Sequence, residues 1–173
     1  MVSKNNHFEL NNNNHYKGIK MSEETANQEQ PIFRLQKMYV KDLSFESPHA
    51  PGIFLSQGQE LKVDFNLQLN NTKIDDDHYE VVISITAKIL DQKSDNTVMF
   101  VIELEHAAVF LLKNIPAEHL QRVMAVDCPL MLFPYTRQIA SQVSVDGGFM
   151  PFLMEPINFV ALFENAQREK MDS

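Results

Sequence analysis

Two carboxylates, Asp42 and Glu46, stand four residues apart in the alternating stretch Tyr39-Val-Lys-Asp-Leu-Ser-Phe-Glu-Ser-Pro-His-Ala-Pro51. On a strand both project from the same face. A later apolar stretch carries Glu103 and Glu105, and simple alternation puts them on one face with Val101 and Met99. Paired carboxylates can hydrolyse a glycoside or dock a basic partner. Strand positions four apart lie roughly 13 Å from one another, beyond the separation an inverting pair uses. The chain also has no tryptophan to stack a sugar. That leaves either an ordinary solvated sheet face or a docking surface, with the charges setting approach and orientation and Val101 supplying dry contact.

A second set of residues is apolar. Gly148-Phe-Met-Pro-Phe-Leu-Met-Glu155 is a run of large side chains that Pro151 and Pro156 keep extended. Together with Phe45, Ile53, Phe54 and Leu132, the residues Phe149, Met150 and Phe152 can line a groove for unfolded chain, or they can fill a core or a subunit interface. Methionine suits a groove because its thioether adapts to many shapes.

The other reactive residue types lead nowhere catalytic. Cys128, next to Pro129, reads as a small buried hydrophobe, and the six histidines lack metal-ligand spacing. Asp75, Asp76 and Asp77 lack the alternation and glycine of a calcium loop and read as a solvated turn. No phosphate-binding glycine loop or nucleophile elbow is present, so neither an enzyme nor a cofactor is expected.

Composition sets the frame for these residues. At 173 residues and 44% apolar content, the chain is one domain with room for a core. It has no apolar window long enough to span a membrane, no apolar leader, and a single cysteine, which leads to the expectation of a cytoplasmic protein. Residues 42–105 hold 12 acids against 4 Lys and Arg, which accounts for the whole net charge of −8. That field repels nucleic acid and anionic lipid and attracts basic partners.

The elements follow from periodicity. Residues 1–33 are polar, with Asn11, Asn12, Asn13 and Asn14 in a row, and read as a disordered extension to a domain over 34–170. Strands are expected at 34–45, 60–69, 78–90 and 97–112. Leu61, Val63, Phe65, Leu67 and Leu69 lie on one face of the second, and Tyr79, Val81, Ile83, Ile85, Ala87 and Ile89 on one face of the third. Short polar links suggest an antiparallel meander. A helix then begins near Pro116, capped by Asn114, and breaks at Cys128-Pro129. A second runs from about 135 to 145 and stops at Gly147-Gly148, and Asn158 caps a third with Phe159, Leu162, Phe163 and Ala166 on its apolar side. Strands followed by helices give an α+β fold, a four-stranded sheet packed by helices on one face with the other face left wet.

Four ordered motifs resemble the SecB family of protein-export chaperones: the Tyr39 to Pro51 stretch, Tyr79-Glu-Val-Val82, Cys128-Pro-Leu-Met-Leu-Phe-Pro-Tyr135, and Pro156-Ile-Asn-Phe-Val-Ala-Leu-Phe163. The resemblance covers roughly residues 34–165 and implies a cytoplasmic holdase, a homotetramer built as a dimer of dimers, that binds unfolded secretory precursors and delivers them to the SecA motor. It implies SecA docking through Asp42, Glu46, Val101 and Glu103, and client binding in the groove described above. Three departures stand out: Ala107-Ala108 where many relatives have glycines, Gly58 where a tryptophan is frequent, and no acidic tail after the last helix. The first is expected to alter register or twist, the second to weaken the groove, and the third to leave the sheet face as the main SecA contact. A paralogue dedicated to one client such as an antitoxin, and a binding protein for a small apolar ligand, are the alternative readings.

Overall fold

The computed structural model describes residues 30–55 and 60–171; of the extension expected over residues 1–33, residues 1–29 lie outside them, as does Gly58, while Ile32 and Phe33 belong to a strand. Four strands form one antiparallel sheet: β1 (Ile32–Glu46), β2 (Leu61–Lys73), β3 (His78–Asp91) and β4 (Thr97–Lys113). β1 begins at Ile32, so the apolar stretch starts slightly earlier than its alternation suggested. The strand order is β1-β4-β3-β2. β2, β3 and β4 form the expected meander, but β1 pairs with β4 instead of β2, giving a Greek-key order. The reason lies in the first connection. Residues 47–60 are too long for a tight hairpin and include a 3-10 turn, Gly52–Leu55, that tucks Ile53 into the core.

β4 is central, between β1 and β3. Its register against both neighbours runs unbroken through Ala107 and Ala108, so the alanines cause no slip. Irregularities fall elsewhere: in β1 at Gln36 and Lys41, and between β3 and β4 near Met99. The last removes Met99 from the alternation. It is buried beside Phe100 on the helical side and does not share the face of Glu103, as had been expected.

The helices cover that side. α1 (Ala117–Arg122) leads through a π-turn (Val123–Asp127) directly into α2 (Cys128–Asp146). The expected break at Cys128-Pro129 is absent. The wider π-turn resets the hydrogen-bond ladder just before Pro129, which then occupies the first turn of α2, where a missing N–H costs nothing. Pro134 is carried inside the helix. Nor does Asn114 cap α1; it has φ of 54° and donates to the Gln30 carbonyl. α2 buries Leu132, Thr136, Ala140 and Ser144, four apart, over β3 and β4. α3 (Phe159–Met171) starts as expected, with the Asn158 side chain accepting from the Ala161 N–H at 3.0 Å. Phe159 is buried and Phe163 packs on the core, whereas Leu162 and Ala166 stay exposed.

His106 of β4 is buried and its Nδ1 lies 2.9 Å from the Thr136 hydroxyl of α2. Burial lowers its pKa below the ordinary 6.5. The folded protein therefore binds fewer protons than the unfolded chain just below that value, and stability falls as pH drops through 6.5 toward the folded pKa. His106→Gln should flatten that decline in urea denaturation between about pH 7 and pH 5; an unchanged slope would clear His106 of responsibility.

Candidate functional site

The face of the sheet away from the helices carries the carboxylates. The bulge at Lys41 brings Tyr39 and Asp42, three positions apart, onto that same face. In register, Asp42 stands opposite Glu105, Ser44 opposite Glu103, and Glu46 opposite Val101. Asp42, Glu46 and Glu103 are exposed, Val101 is half-buried, and the Ser44 hydroxyl reaches Glu103 Oε2 at 3.4 Å. The four residues expected to dock a partner thus lie together on two adjacent strands. Next to them, Tyr39 donates to Glu80 of β3 across β4, and Lys41 Nζ pairs with the same carboxylate at 2.9 Å. The hydrogen bond to Glu80, helped by burial, raises the Tyr39 pKa to about 12; that bond and the Lys41 ammonium hold Glu80 below the usual carboxylate range. The small Ala107 lets the phenol pass over β4 and is itself left with no exposed surface. This bridge fixes β1, and with it the carboxylates.

The opposite face holds an open apolar groove. The helices cover β3 and β4, but on β2 Leu61, Val63 and Phe65 remain 56%, 46% and 41% exposed. Along them runs the extended segment 148–157, anchored to the end of α2. Ser144 Oγ accepts the Phe152 N–H at 2.8 Å, and the Ser144 carbonyl accepts the Phe149 N–H at 3.0 Å. Two clefts of about 420 and 450 Å³ share Val63, Phe152 and Leu153 and so form one channel. Its inner wall is aromatic: the Phe149 ring lies 4.6 Å from that of Phe100 and 5.1 Å from that of Phe54. Phe45 stacks behind them on Phe100 at 5.6 Å. A Cβ on Gly147 would come within 2.1 Å of the Phe45 ring, and Gly148 takes φ of 86°, so this glycine pair lets α2 end against the wall and the segment turn away.

Of the expected groove residues, Ile53, Phe54, Phe149, Met150 and Phe152 line it and Phe45 supports it. Leu132 does not. It is fully buried under α2, because helical spacing turns it toward β3 and β4 and away from the groove. Leu153 of the apolar segment lines the groove as well, whereas Leu61, Val63 and Phe65 line the channel and were missed. Their alternation was legible, but it reads the same for a covered face as for a bare one. Cys128 is buried, which, with Asp127 nearby, raises its pKa to about 12 and keeps the thiol protonated. Asp75 closes the β2–β3 turn, accepting from the N–H groups of Asp77 and His78.

Comparison with known proteins gives this geometry a lineage. The family model of the preprotein translocase subunit SecB matches residues 26–170. The chain belongs to the SecB family. It is 63% identical to the protein-export protein SecB of Desulfotalea psychrophila, over 82% of this chain and 90% of that one. It is 46% identical to the protein of the same name from Magnetococcus marinus, over 86% of this chain and 93% of the relative. The fold is similar to that of a SecB-like chaperone from Mycobacterium tuberculosis, solved with a ChAD peptide from the HigA1 antitoxin. That match has a TM-score of 0.60 and 18% identity over 73% of this chain and 91% of the other. At that identity the match speaks to fold alone. SecB proteins are export chaperones and not enzymes, and the close relatives support that reading over the single-client alternative. Among the described residues, no helix is long and apolar enough to cross a membrane.

Core and groove should separate under mutation. Leu132→Ala should cost about 2–5 kcal/mol of stability, whereas Met150→Gln, at an exposed groove position, should change it by less than about 0.5 kcal/mol. Urea unfolding of the two variants distinguishes them.

Proposed function

We propose that the protein is a cytoplasmic holdase that binds unfolded secretory precursors in the β2 groove and passes them to SecA on the acidic face. The observation that carries this reading is the bare apolar strip Leu61, Val63 and Phe65 facing Phe149 and Phe152. Folded monomers seldom leave such a strip open without a partner. Each apolar client stretch gains roughly 25 cal/mol per Å² on burial, without any change in covalent bonding. Several grooves in a tetramer, a dimer of dimers, would add avidity that no single groove supplies. Fast-folding proteins hide their apolar stretches before capture, so selection among clients is kinetic.

Docking on the other face keeps client and motor from competing for the same atoms. Asp42, Glu46 and Glu103 attract a cationic partner, and Val101 provides contact that excludes water.

Calorimetric titration with a denatured, slow-folding secretory precursor tests the first half. Tight binding to the unfolded form and none to its folded form is the expected result, and Phe65→Asp should weaken binding at least tenfold while the protein stays folded. The double variant Asp42→Lys, Glu46→Lys tests the second half. It should lose SecA while retaining client, and normal SecA binding would refute the docking assignment.

A further inference from the structure

The wet face can be read as rows across the four strands. One row is Glu46, Val101, Lys88 and Asp64; the next is Ser44, Glu103, Thr86 and Asn66; the third is Asp42, Glu105, Ser84 and Gln68. The first row contains a cation, Lys88, in register with Asp64 and Val101, and in the second the Ser44 hydroxyl donates to Glu103. The third row contains no cation. Asp42 and Glu105 stand directly opposite on neighbouring strands, and among the described residues neither carboxylate has an ion pair or hydrogen bond. Like charges so placed weaken a sheet. Beside them the Ser84 hydroxyl oxygen is buried and has no partner. The row contains two unpaired carboxylates and an unused hydroxyl, and its deficit is one cationic donor.

We infer that Glu105 is a fifth determinant of the docking face, forming with Asp42 a two-carboxylate seat for one Lys or Arg of the partner. This rests on the docking reading above and adds to it a defined location: the partner's cation lies across the β1–β4 junction at the Asp42–Glu105 pair. A guanidinium there would be held from both sides, and the repulsion present in the free protein becomes attraction in the complex.

Two opposite signs follow from one substitution. Glu105→Gln relieves the repulsion, so it should raise the midpoint of thermal unfolding while weakening SecA binding by roughly fivefold at low salt. Asp64→Asn is the control. It makes the same charge change on the same face, but Asp64 is already served by Lys62 at 3.4 Å, so SecA affinity should be unchanged. A cycle with Asp42→Asn should show coupling, the second neutralisation costing less than the first. If Glu105→Gln binds SecA as wild type does while Asp42→Lys, Glu46→Lys does not, the two-carboxylate seat is wrong and the docking face stands. If the wild-type protein does not bind SecA at all, the docking face fails and the seat fails with it. If affinity and thermal midpoint both fall, Glu105 is a structural residue and the inference is overturned.

Discussion

β4 lies between β1 and β3, and both faces of the protein depend on that placement. Because β1 crosses the end of the sheet to reach β4, Asp42, Ser44 and Glu46 come level with Glu105, Glu103 and Val101. Among the described residues, the same crossing leaves β2 without an outer neighbour in the sheet. A meander would have put β1 beside β2, separated the two sets of carboxylates, and covered the strand that now borders the groove. Pairing of one strand therefore creates the acidic face and the apolar channel together.

Two local devices hold this arrangement in place. The Tyr39–Glu80–Lys41 bridge ties β1 to β3 over the small Ala107, so β1 cannot slip in register without losing a partly buried hydrogen bond. At the other end, Ser144 ties segment 148–157 to α2 through both its hydroxyl and its carbonyl. The segment is thereby held extended beside β2 with its large side chains divided: Met154 buried, Met150 and Leu153 exposed. A surface that must accept many sequences benefits from such a rigid backbone carrying flexible side chains.

How much of this the sequence carried depends on the range of the interaction involved. Alternation in β2 and β3 is local, and it sorted the residues of each strand onto the correct face. Strand pairing is not local, so β1 looked like the first arm of a meander. The bulge at Lys41 was hidden for the same reason: strict alternation would put Tyr39 and Asp42 on opposite faces. Cys128-Pro129 looked like a break because proline usually ends a helix, and nothing in the letters announces the π-turn that accommodates it. On the acidic face, the common side of Asp42, Glu46, Val101 and Glu103 was legible from alternation. Leu132 was misplaced because membership of a groove depends on which way a helix is turned. Leu61, Val63 and Phe65 were assigned to the right face, but their exposure depends on how far the helical layer extends.

The central claim is that an unfolded client occupies the channel between β2 and segment 148–157 while the acidic face stays free. Hydrogen–deuterium exchange of the protein with and without a denatured secretory precursor tests it most directly. The account predicts slowed exchange across residues 61–69 and 148–157, with residues 42–46 and 101–105 unchanged. Protection confined to the acidic face, with the channel exchanging as in the free protein, would contradict it.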